Sequence, residues 1–275
     1  MLANIAAKRL RSIAPSLSHD ANFLAVIILP ARNGRFGREQ SLHGSIDPEE
    51  TEDGIMNIAA NVGPALALEV ADADTIAELR HQADGCTRCD LYRNATQVVF
   101  GEGPVKAEIV LVGEQPGDQE DLTGRPFVGP AGRLLGRCLE EAGLDRQRCY
   151  VTNAVKHFKF TPRGKRRLHA KPNAGEIRRC AWWLGAELNI LRPKLVVTLG
   201  ASALYALLGP KAKLTPERGH ILHPANRPPV LVTIHPSYLL RIRDEAERRR
   251  QHRDFVSDLH KAVEFRSPVK AHSQP

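Results

Sequence analysis

The chain has 275 residues, with 39 basic and 31 acidic side chains and a net charge of +8. At 42% hydrophobic and 25% charged it is long enough and apolar enough to bury a core unaided, which excludes a collagen-like, a fully disordered or a disulfide-dense protein. No apolar run approaches the roughly 18 residues of a membrane helix, and residues 23–30 are too short and too poorly flanked for a secretory leader.

Charge is unevenly spread: residues 1–70 carry a net −2 and the remainder a net +10. That segment combines a basic start (Lys8, Arg9, Arg11), an apolar island at 24–29 and an acidic stretch at 47–53, with no shared period. It reads as a poorly ordered extension, with a targeting peptide as the alternative. Residues 71–267 form the expected globular domain, and 268–275 a flexible tail.

From Ala73 the pattern becomes regular. Residues 75–82 suit a helix, with Asp74 as N-cap. Residues 108–113 (EIVLVG) are an apolar run closed by glycine, as in a buried parallel strand. A helix over 131–142 puts Leu134, Leu135, Cys138 and Leu139 on one face, and Gly143 stops it. A second strand spans 149–155, a long helix 173–191 with Pro193 beyond it, and a third strand 194–199. Gly200 opens a helix to Leu208, a fourth strand covers 230–234, and a basic helix runs over 245–265.

Strands alternating with helices predict an α/β/α sandwich around a central four-stranded parallel sheet. Ligands of such sheets sit at the carboxyl ends of the strands. Here three of those ends carry polar groups: Glu114 to Asp118, then Lys156 and His157, then His235 to Ser237. All three are expected in one cleft.

Five cysteines, an odd number, point to a reducing compartment, the cytoplasm, and to metal-binding or core roles. Cys86 and Cys89 form a CxxC ahead of the sheet, where a metal or iron–sulfur role fits better than a thioredoxin-like one. Cys138 and Cys149 suit the core. Glu114, in a Gly/Pro-shaped loop, is either a catalytic carboxylate or part of a surface turn. Phe127, alone in a stiff small-residue loop, either stacks on a base or plugs the core. Residues 156–175 carry seven Lys/Arg and no acid, with Phe158 and Phe160 between them, and read as a basic loop over the cleft suited to phosphate. His235 is placed to stabilise a developing anion.

Taken together, CTRCDLYRNATQVVFGEGP, GEQPGDQEDLTGRPFVGPAG, YVTNAVKHFKF, RGKRRLH, CAWWL, LGA and HPSYLLR give residues 84–263 a resemblance to the family-4 uracil-DNA glycosylases, and within them to the UdgX type. The resemblance implies the same α/β/α fold and a 4Fe–4S cluster on Cys86, Cys89, His157 and Cys180, with His157 where ordinary family-4 enzymes have a cysteine. It implies uracil-containing DNA as substrate, single-stranded DNA preferred, acted on by a monomeric protein of the bacterial nucleoid. His169 is the implied nucleophile, in a loop held by Arg167, with Leu168 where isoleucine is usual. Phe127 stacks on the flipped uracil and Asn153 reads its edge, while Gln115 and Asp118 shape the pocket. His235 receives the uracil anion and Glu114 faces the sugar cation. Lys165, Arg166, Ser237 and Arg241 are assigned to DNA. Covalent capture through His169 is the expectation. The alternatives are a multiple-turnover glycosylase, a non-catalytic iron–sulfur nucleic-acid-binding module, and a nucleotide-processing enzyme, the last disfavoured by the lack of a phosphate-binding Gly loop.

Overall fold

The computed structural model describes residues 73–266, so the extension expected over 1–70 and the tail over 268–275 lie outside the described residues. The first helix, α1, spans Ile76–Asp84. Its cap is Thr75 rather than Asp74. The Thr75 hydroxyl accepts from Glu78 N at 3.2 Å, and the Glu78 carboxylate accepts from Thr75 N at 3.1 Å. A cap needs its partner three residues on, and only Thr75 has a glutamate there.

Four strands, β1 (Ile109–Gly113), β2 (Cys149–Asn153), β5 (Leu195–Leu199) and β7 (Val230–Thr233), pair in parallel in the order β2-β1-β5-β7. The expected four-stranded core gains a short antiparallel edge strand, β6 (Ile221–Leu222), paired with β7. Two residues carry too little pattern to announce a strand.

Every residue of the four parallel strands is buried, as strands covered on both faces must be. Alternate side chains divide between two cores. Val110, Val112, Tyr150, Val196 and Val232 pack with α1, α4 (Ala174–Leu191) and α5 (Ala201–Leu208). Ile109, Leu111, Val151, Val197 and Leu231 pack with α3 (Pro130–Glu141) and α8 (Glu245–Arg266), where Cys138 and Cys149 are also buried.

The segment read as a basic loop is partly a hairpin. Strands β3 (Phe160–Arg163) and β4 (Arg166–His169) pair antiparallel around Gly164, whose φ of +58° a side chain would resist. The strands are polar and charged, so no apolar alternation marks them in the sequence. Short helices α2 (Asp118–Thr123), α6 (Leu214–Glu217) and α7 (Pro236–Leu239) complete the fold. Among the described residues no helix is long and apolar enough to cross a membrane.

Candidate active site

The chain leaves β1 towards β2 on one side and reaches β5 on the other, so the switch in winding lies between β1 and β5. The crevice of an open α/β sheet forms there. Glu114 follows β1, and Ser202 stands in the first turn of α5, beyond β5. The Ser202 hydroxyl donates to Glu114 Oε2 at 2.5 Å. The other oxygen, Oε1, lies 3.5 Å from Nε2 of His169, at the end of β4, whose side chain is about half exposed.

Asn153 ends β2 beside Gly113, the last residue of β1. A Cβ on Gly113 would collide with Asn153 Oδ1 and lie 2.5 Å from Phe127 Cζ, so glycine is what lets the amide and the ring meet. Asn153 Oδ1 is buried and has no hydrogen-bond partner. A buried acceptor left open costs free energy unless something fills it, and a donor on a flat ring against Phe127 would. Phe127 is 7% exposed and belongs to the core beneath α3, yet its ring centroid is 6.0 Å from that of His235. It therefore both plugs the core and faces the cleft. Its φ of +55° is rare for a residue with a side chain, which marks a conformation imposed by its surroundings.

His235 caps α7. Its Nδ1 accepts from Ser237 N at 3.2 Å and lies 2.7 Å from Ser237 Oγ, which accepts from Arg241 at 3.4 Å. Burial, with the neighbouring His169 and Arg241 charges, lowers the His235 pKa to about 4. The ring is therefore neutral near pH 7, with its proton on Nε2, where it can donate to an oxygen that gains negative charge. Ser237 and Arg241, assigned to DNA from the sequence, are engaged here in orienting His235.

Gln115 and Asp118 are also tied up elsewhere. Gln115 clamps the foot of the hairpin. Its Nε2 donates to Lys159 O at 3.0 Å and Ala170 O at 3.2 Å, and its Oε1 accepts from Lys159 N at 3.3 Å. Arg167 pins the hairpin to α2, with Nε 2.6 Å from Asp118 Oδ1 and Nη1 2.6 Å from Asp121 Oδ2. Its guanidinium also lies over Phe158 and Phe160. Lys165 and Arg166 stand exposed at the hairpin turn.

Lys156 departs from the expected cleft. Its ammonium is fully buried 2.6 Å from Glu187 Oε2 of α4, and bonds Thr152 Oγ1 and Asn153 O as well. The backbone bends at Ala154, directly after Asn153.

Cys86, Cys89 and Cys180 are free thiols, near enough that charge on Cys86 or Cys89 would help raise the Cys180 thiol pKa. Trp183 Nε1 donates to Cys86 Sγ at 3.1 Å, and Lys156 N donates to Cys180 Sγ at 3.1 Å. Next to Lys156, the buried His157 Nδ1 has no partner. Burial pushes the Cys180 thiol up to about 12. Among the described residues no group of three or more His, Cys, Asp or Glu is arranged around a single metal ion. Three soft thiols, N–H bonds to two of the sulfurs and an open imidazole nitrogen are nonetheless the donor types that iron–sulfur clusters use.

Two features of the site escaped the sequence reading. Ser202 is two residues past Gly200, the glycine that follows the third predicted strand and opens the next helix, so the switch-point rule could have found it. Asp121 is fully buried and also accepts from Thr96 N at 3.0 Å and Oγ1 at 2.5 Å. Nothing in the acidic run around it distinguishes it.

The model described as "Uracil DNA glycosylase superfamily" matches residues 100–260. A type-4 uracil-DNA glycosylase of Thermotoga maritima is 41% identical over 181 residues, covering 66% of this chain and 88% of that protein. Those of Sulfurisphaera tokodaii and Archaeoglobus fulgidus are 41% identical over 128 residues and 39% identical over 130. Those two alignments cover 46% and 47% of this chain, and 55% and 62% of the relatives.

Proposed function

This chain belongs to the uracil-DNA glycosylase superfamily, and on that premise we propose that it excises uracil from DNA and then bonds to the abasic sugar through His169. The observation that carries the second step is the position of the His169 ring, which stands over the cleft with Nε2 3.5 Å from the Glu114 carboxylate. A histidine there can compete with water for the sugar.

The chemistry follows from the residues. Extruding the base costs a few kcal/mol, least from single-stranded DNA, which is therefore the preferred substrate. The uracil ring lies on Phe127, and its N3–H donates to Asn153 Oδ1, filling the open acceptor. As the bond between C1′ and uracil N1 breaks, its electron pair leaves with uracil, and Nε2–H of neutral His235 donates to the oxygen that gains charge. Glu114 faces the sugar cation. It takes the proton from His169 Nε2, whose lone pair then forms the bond to C1′. The product is a sugar joined to an aromatic nitrogen, with no good leaving group for water to displace. Gln115 and Arg167 hold the hairpin, and Lys165 and Arg166 reach phosphates.

Cys86, Cys89, His157 and Cys180 would hold a 4Fe–4S cluster. When bound, the cluster supplies a structural tie between the 86–89 segment, the end of β2 and α4. Iron and sulfide analysis of natively purified protein should find about four irons per chain. A colourless, zinc-loaded protein would overturn this assignment. We further assign the protein to the cytoplasm as a monomer at the nucleoid.

A denaturing gel tests the covalent step. The protein is mixed with a labelled single-stranded oligonucleotide containing one uracil, then boiled in detergent. A heat-stable band that requires both uracil and His169 supports capture. Free abasic DNA that breaks in alkali, with no shifted band, makes the protein a multiple-turnover glycosylase instead.

A further inference from the structure

We infer that Ser202 is a positioning residue for the reaction: it holds the Glu114 carboxylate in the orientation that receives the His169 proton. This rests on the roles of Glu114 and His169 proposed above.

Ser202 stands where packing alone has no use for a hydroxyl. The rest of α5 is alanine, leucine and one tyrosine, and Ala203, Leu204, Ala206, Leu207 and Leu208 are buried beside it. Ser202 itself is 3% exposed. An alanine would fill that space without the cost of burying a polar group. The hydroxyl instead spends its one proton on Glu114 Oε2 at 2.5 Å, the length of a charge-assisted bond.

A carboxylate on a flexible side chain samples many rotamers, and a proton acceptor must face its donor. Fixing Oε2 to α5 leaves Oε1 facing β4, 3.5 Å from His169 Nε2. The titratable group that faces this carboxylate is His169 on β4, and His169 in turn acts on His235 after β7. Ser202 keeps its proton throughout. The proton that moves is the one on Nε2, which passes to Oε1 as the Nε2 pair bonds C1′.

The test compares Ser202→Ala, the near-isosteric Ser202→Cys and the hydroxyl-retaining Ser202→Thr with the wild-type protein. Adduct formed and free uracil released are both measured across pH on a single-stranded oligonucleotide. The wild type should form one adduct per uracil released. Alanine and cysteine should slow capture about tenfold, the size of one lost hydrogen bond to a charge. They should release uracil in excess of adduct, because water now reaches the sugar first. Threonine should restore both. An unchanged adduct-to-uracil ratio in folded Ala and Cys variants, with the wild type forming adduct, would overturn the inference alone. If the wild type released uracil without any adduct, the covalent reading would fall and this role of Ser202 with it.

Discussion

Asn153 and Lys156 stand three residues apart at the end of β2, yet they belong to polar clusters built on opposite terms. Lys156 is sealed into the framework. Its three ammonium protons go to Glu187, Thr152 and Asn153 O, while Glu187 Oε1 accepts from Tyr150, Thr152 and Gly101 N. Every charge there is paired and water is excluded. The Asn153 cluster is left open: Oδ1 has no partner, His235 keeps a free Nε2–H, and His169 stands half exposed opposite Glu114. A satisfied polar cluster holds a fold, whereas atoms left unsatisfied are available to a ligand. Polarity or burial alone therefore does not identify a site residue; the vacant donors and acceptors do.

Substitutions in the two clusters should accordingly separate stability from chemistry. The largest effect is expected of His169→Ser, which should abolish the heat-stable adduct on a denaturing gel, retain or expose free uracil release, and leave the melting temperature nearly unchanged. Adduct formation by this variant would break the comparison. In the closed cluster, Lys156→Met should cost about 3–5 kcal/mol in denaturant unfolding, because Glu187 is left buried and unpaired. Replacing both partners, as in Lys156→Met with Glu187→Gln, should recover much of that loss.

Next comes Asn153→Ala. It should slow uracil excision about a hundredfold, as expected where a buried polar reader is removed, while stability holds or rises because an orphaned acceptor has gone. Gly113→Ala should act in the same direction and about tenfold or more, since its methyl group meets the Phe127 ring and Asn153 Oδ1. Single-turnover excision rates measure both.

The smallest effect is that of pH through His235. With its folded pKa lowered to about 4, the ring stays neutral from pH 8 to 5, and excision should change little there on its account. Stability should behave differently. The unfolded histidine protonates near 6.5 and the folded one only near 4, so the unfolded state binds the extra proton first. Unfolding free energy should fall as pH drops from about 6.5 towards about 4, and His235→Asn should make that slope shallower, leaving the share of His157, whose pKa burial also lowers.

The sequence by itself determined the framework. The apolar stretches inside EIVLVG and KLVVTL, one closed and the other followed by a glycine, suit buried parallel strands, and the alternation with helices fixed the layers. The switch-point rule then named Glu114 and His235 as cleft residues, because strand ends are local features. Thr75 and the short β6 show the limit of local pattern: one cap moved by a residue, and a two-residue edge strand left no trace.

What only the tertiary structure decided was the pairing. Lys156 looks like a cleft residue until α4 brings Glu187 against it. Gln115 and Asp118 sit in the acidic, Gly/Pro-shaped run after β1, and only the tertiary structure sets Gln115 against Lys159 and Ala170 and Asp118 Oδ1 against Arg167. Ser202 looks like filler in an alanine-rich helix until β1 and β5 set it beside Glu114, 88 positions away. A buried polar group is defined by its partner. Periodicity and spacing report which face of an element is covered, but they carry no information about which distant atom completes a hydrogen bond, or which one is left open.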